Sequence, residues 1–148
     1  MWGIKAGALA LAATAAVSGC GSSNDAKPVA AKPKTVSVSA ATKKFQAAVD
    51  QFDEDGGCLD QAADTCWDEM QAVMKPARTL RAAMHADKSV GPEFWSGAYA
   101  LINKMQRGMD VGDDEGASKP SDLEPRNRAI VLGSAHDLSD WLDEHPVE

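Results

Sequence analysis

An all-α fold, a small four-helix bundle with one disulfide preceded by a signal peptide and a flexible tether, follows from three observations. Beyond residue 40 the apolar residues recur at three- and four-residue intervals in four separate stretches, and no stretch alternates as a strand would. Glycine or proline stands at the breaks between stretches. Ahead of them lie a short apolar leader and a segment of Gly, Ser, Ala, Lys, Pro and Val that lacks aromatic residues.

The leader divides into Met1–Lys5 with one lysine, an uncharged run from Ala6 to Val17, and small residues up to Cys20. A helix of that run's length rises only about 18 Å, short of a hydrocarbon core of roughly 30 Å, so a secretory signal is expected rather than a membrane span. Val17-Ser18-Gly19-Cys20 resembles the lipobox of bacterial lipoproteins, with aliphatic and small residues directly before a cysteine. That resemblance covers residues 1–20 only. It implies cleavage before Cys20, a diacylglyceryl group on the Cys20 thiol, and a chain held at the extracytoplasmic face of the cell membrane. Two acyl chains suffice for stable attachment, where one holds only marginally. The implied organisation is a signal peptide over 1–19, lipidated Cys20 and a tether over 20–39, and a helical domain over 40–148. Lys27, Lys32 and Lys34 in the tether add attraction to anionic headgroups, on the order of 1 kcal/mol each.

The whole chain carries a net charge of −7. Loss of Lys5, and a tether in which Lys27, Lys32 and Lys34 outnumber Asp25, leave about −10 on the domain. Such a balance excludes nucleic acid as a partner, because phosphate backbones demand a basic footprint. It also argues against a domain lying flat on anionic lipid. With Cys20 lipidated, Cys58 and Cys66 form an even pair in an oxidising compartment and are expected to make the disulfide. On one straight helix they would stand about 12 Å apart, so a turn must separate them.

The first helix is expected over Ala40–Asp53, with Ala41, Phe45, Ala48, Val49 and Phe52 inward and Gly56-Gly57 ending it. The second, Thr65–Ala86, carries the stripe Cys66, Met70, Val73, Ala77, Leu80 and Met84, which keeps its phase across Pro76 and so favours one kinked helix over two. Thr65 and Asp68 have the spacing of a capping box. The third is placed from Gly91-Pro92, with Phe94, Ala98, Leu101, Ile102, Met105 and Met109 inward and Gly108 and Gly112 marking its end. The fourth begins near Ser121–Glu124 and ends at His145-Pro146, its stripe being Val131, Ala135, Leu138 and Leu142. Between the last two, Asp110–Asp122 is expected to be an open loop kept apart by like charges and tolerant of trimming.

Signatures of catalysis are missing: there is no G-x-S-x-G, no H-E-x-x-H, no phosphate-cradling loop and no C-x-x-C-H. No catalytic residue, cofactor or metal ligand is assigned, and the chain is not expected to be an enzyme. Asp53, Asp55 and Asp64 fall near an EF-hand register, but Cys58 stands where that loop needs glycine. His136, Asp140 and Glu144 share a helical face that suits a solvated surface, and His85 and His145 have no evident partners. On helical wheels Trp67 and Trp95 fall at the edges of their apolar faces, with Trp141 nearer the middle. Trp95 with Tyr99 is the expected contact for a protein partner. The function expected is that of a protein-interaction or envelope-associated binding module, the alternative being a small-ligand or divalent-cation binding protein.

Overall fold

A computed structural model of the chain describes residues 36–58, 60, 62–117 and 126–147. The signal peptide, Cys20 and the tether up to residue 35 lie outside the described residues, as does the expected start of the fourth helix at Ser121–Glu124. Four helices make up the described part: α1 Val38–Glu54, α2 Trp67–Ala86, α3 Ser96–Met109 and α4 Asn127–Glu144.

Helix α1 starts two residues before the expected boundary because Ser37 caps it, its hydroxyl accepting from the Ala40 N–H at 3.3 Å. Val38, Ala41, Phe45 and Val49 then point inward. Two glycines at positive φ turn the chain out of α1, and the Gly57 N–H closes the end by donating to the Phe52 carbonyl. Helix α2 runs unbroken through Pro76, and its stripe is buried in one phase from Met70 to Met84. Helix α3 begins later than Pro92 suggests. Residues 92–95 form turns, with Ser96 N–H bonded to the Glu93 carbonyl, and the α-helix starts only at Ser96.

The bundle runs antiparallel throughout. Arg78 and Arg81 on α2 meet Gln106 and Asn103 on α3, so the two helices number in opposite directions. Gln46 of α1 bonds Asp143 of α4, while Asp53 at the other end of α1 lies beside His136. Helices α1 and α3 are the diagonal pair that do not touch. The core between them is built from Phe45, Met70, Met74, Leu80, Met84, Trp95, Ile102, Met105 and Leu138. No described helix is long and apolar enough to cross a membrane.

Helices α3 and α4 approach each other closely, and two glycines three turns apart on α3 permit it. A Cβ on Gly97 would stand 2.5 Å from Nε1 of Trp141. One on Gly108 would stand 2.6 Å from Cγ2 of Val131 and 3.1 Å from the Asn127 main-chain oxygen. Gly108→Ala is therefore expected to destabilise by about 1–3 kcal/mol through overpacking. Gly133→Ala, on α4 with open space around it, is expected to stabilise by about 0.4–1 kcal/mol. Urea midpoints of the two variants check the register: equal shifts would mean that α3 and α4 do not meet along this line.

Candidate functional site

The end of the bundle opposite the entering chain is closed by two loops and one ion pair. Cys58 and Cys66 are joined, with Cα atoms 5.8 Å apart, and the turns of residues 62–66 lie between them as the spacing required. Arg128, at the start of α4, reaches into this loop. Its guanidinium donates to the carbonyls of Asp60 and Ala62, to Oγ1 of Thr65 at 3.1 Å, and to both oxygens of Asp114. The side chains of the pair are 5% and 0% exposed, with 2.5 Å between NH2 and Oδ2. Such a pair holds only because nearly every lone pair and proton finds a partner.

Asp114 does more than neutralise Arg128. Its Oδ2 accepts the N–H of Cys66, the N-cap of α2, at 2.9 Å, and its Oδ1 accepts that of Gly116. Its carbonyl accepts from Asp64, a residue held at φ 64°. The next residue repeats the device on another helix: the Glu115 carboxylate accepts from Asn127 N–H in the first turn of α4, and the Glu115 N–H donates in return to Oδ1 of Asn127. Consecutive acids thus sit at the positive ends of two helix dipoles.

The expected capping box is corrected accordingly. Thr65 Oγ1 turns back to the Ala62 carbonyl and caps nothing. The distant Asp114 takes the N-cap amide that a third-position glutamate would have taken. The expectation of an open, dispensable loop is also overturned for residues 110–117. Asp114 and Gly116 are buried, and trimming the loop would leave Arg128 as an unpaired buried charge. Neither Asp114 nor Arg128 was singled out from sequence. A signal existed for Arg128, which extends the Val131, Ala135, Leu138 and Leu142 stripe back by one step and places a guanidinium in the core line.

The aromatic residues part company. Trp95 is 1% exposed, wedged edge-on to Phe94 at 4.8 Å and facing Trp141 at 6.2 Å. Burial removes it from any partner contact and inverts the expected order, since Trp67 and Trp141 are the half-buried ones. His145 stacks on Trp141 at 4.1 Å, and its Nδ1 lies 2.8 Å from the Trp141 carbonyl. Tyr99 remains at the surface, half-buried. Its ring stacks on His85 at 4.8 Å, and the Arg81 guanidinium lies over it at 5.6 Å from the centroid. Burial pushes the Tyr99 hydroxyl up in pKa, Arg81 draws it back, and Asp87 adds to the rise.

Around Tyr99 the surface is basic. From Met70 to Met109 the chain holds Lys75, Arg78, Arg81, Lys88, Lys104 and Arg107 against only Asp87 and Glu93. Nε of Arg78 bonds Gln106 at 3.0 Å, and Arg81 bonds Asn103, which fixes the two guanidinium groups across the α2–α3 seam. The acids lie elsewhere: Asp50, Asp53 and Glu54 on α1, Asp137, Asp140, Asp143 and Glu144 on α4, and the loop-clamp end. That end has an open cleft lined by Asp64, Trp67, Asp68, Glu69 and Asp113. Among the described residues, three metal-capable side chains converge only at Cys58, Cys66 and Glu69, and there the two sulfurs are bonded to each other.

Burial pushes the Asp114 carboxyl up, but the bonds from Arg128, Gly116 and Cys66 outweigh it and hold the group below 3.8. A carboxyl depressed in the folded state contributes stability above its ordinary pKa, and that contribution fades as pH falls through the folded value. Asp114→Asn is expected to lower stability at neutral pH by about 3–5 kcal/mol, because Arg128 loses its counter-charge. It should also flatten the acid limb below the ordinary carboxylate range. Urea unfolding from neutral to acid pH checks both, and an unchanged acid limb would remove Asp114 from its role. No family model, characterised protein or solved structure matches this chain.

Proposed function

We propose that the chain is a lipid-anchored extracytoplasmic lipoprotein whose helical domain is a non-enzymatic binding module of the cell envelope. Cys20 supplies the anchor and the α2–α3 face the contact surface. The observation that carries this reading is charge segregation: a strongly acidic domain gathers most of its exposed cations on one helix pair, with Tyr99 and His85 stacked among them. A merely soluble surface would intersperse the two signs. Support for the anchor comes from the lipobox resemblance and from the Gly, Ser, Ala, Lys and Pro composition, without aromatic residues, of the segment that follows it.

Entry of the chain suits the same reading. Val36 and Ser37 share a cleft with Ala83, Ala86 and Ser89, so the polypeptide arrives beside the C-terminal end of α2, where His85 and Lys88 lie.

Fractionation of cells tests the anchor. Wild-type chain is expected with the membrane as a processed, lipid-modified species, and Cys20→Ala as an unlipidated chain. A lipidated, mature-size Cys20→Ala product would overturn the anchor. For the surface, a photo-crosslinking side chain at exposed Ala82 on α2 is expected to give envelope adducts, while one at Asp140 on α4 gives none. Equal labelling from the two positions would overturn the choice of face.

A further inference from the structure

We infer that the α2–α3 face is a docking surface for a bilayer bearing anionic phospholipid headgroups, so that the domain leans on the membrane that anchors it. The inference rests on the anchored reading above and names the partner of that same face. Net charge alone points the other way, since about −10 on the domain predicts repulsion from anionic lipid. The arrangement of the charges reverses that conclusion.

Helix α3 contains no acidic residue at all, and α2 carries acids only in its first turn, Asp68 and Glu69. Lys75, Arg78, Arg81 and His85 follow one another along the solvent side of α2, and Lys104 and Arg107 stand exposed on α3. The acids of α1 and α4 stand on other helices, while Asp110, just past α3, borders the face by accepting from the Gln106 amide that also holds Arg78. Screening falls off over about 10 Å at moderate salt, so a surface touching α2 and α3 feels the near cations more than the distant acids. Asp87 and Glu93 lie near the chain-entry end, where Lys88 accompanies them.

Relief and composition favour headgroups over a protein partner. The exposed positions among the cations include Ala72, Ala82 and Ala100, which leave a low surface on which several cations can meet one plane. Tight protein interfaces centre on buried aromatic anchors. Here Trp95 is withdrawn into the core, and the exposed large hydrophobic residues among those described, Val36 and Val111, lie off the face. What remains is cationic and hydrogen-bonding, with Tyr99 as an amphipathic ring beside Arg81.

The test uses the full-length Cys20→Ala chain, so that acyl insertion does not mask the surface, with vesicles of phosphatidylcholine alone or with phosphatidylglycerol added. Co-sedimentation is expected only with the anionic vesicles and is expected to be reversed by high salt. Combined Arg78→Gln, Arg81→Gln and Arg107→Gln should lower partitioning by about tenfold or more. Ala82→Glu, which breaks no hydrogen bond, should weaken it, and Lys43→Gln with Lys44→Gln on α1 should change it less than the arginine variant does. Circular dichroism of each variant reports folding. Binding by the triple-arginine variant equal to wild type, or equal binding of wild type to the two vesicle types, overturns the inference. If lipid binding fails but the Ala82 crosslinker still gives protein adducts on cells, the binding-module reading stands with an acidic protein as partner. If both fail, both readings fall.

Discussion

The buried pair of Arg128 and Asp114 is the constraint around which one whole end of the bundle is organised. Two charges taken out of water cost several kcal/mol each unless every remaining donor and acceptor is met. Here the demand is met by backbone from three separate segments: carbonyls of the disulfide loop, the first amide of α2, and the amide of Gly116. The requirement to satisfy one guanidinium and one carboxylate therefore fixes the two loops and the starts of α2 and α4 relative to each other. Glu115 and Asn127 extend the same logic by one residue, exchanging bonds across the start of α4.

The disulfide has its place in that network. Cys66 is at once the bonded cysteine and the N-cap of α2, and its amide is held by Asp114. Closing so small a covalent loop restricts the unfolded chain, while Arg128 fills the loop's interior with donors that its carbonyls would otherwise lack. Covalent and ionic restraints act on the same few residues, and the rest of the molecule is held by an ordinary apolar core rich in methionine.

Much of the fold was legible in the order of the residues. Helix periodicity alone located the faces of α1 and α2, because Phe45, Val49, Met70 and Leu80 each repeat at the spacing that burial demands. The pairing of Cys58 with Cys66 was legible from their spacing and the turn that it requires between them. What escaped was non-local. Nothing near Asp114 distinguishes it from Asp113, and its burial depends on an arginine and an amide supplied by other elements. The start of α3 escaped for a similar reason: Pro92 offered a plausible first turn, yet Phe94 and Trp95 pack against the far end of α4 and hold those residues in turns. Wheel geometry placed Trp95 at an edge because it assumed a helix that had not yet begun. Net charge, likewise, averages over the run from Met70 to Met109, where cations outnumber acids.

The loop clamp also bears on the order in which the parts of the chain can complete their contacts. Helices α1 and α2 can associate, and Cys58 can meet Cys66, once the chain has passed residue 86. Yet the first amide of α2 finds its acceptor only at residue 114, and that acceptor finds its counter-charge only at residue 128. Without α4, the Asp114 carboxylate that accepts from Cys66 would have no counter-charge, and the carbonyls of Asp60 and Ala62 would lose their donor. The last helix is thus the one that locks a junction formed near the middle of the chain, and a chain cut short before Arg128 would lack the buried ion pair that holds it.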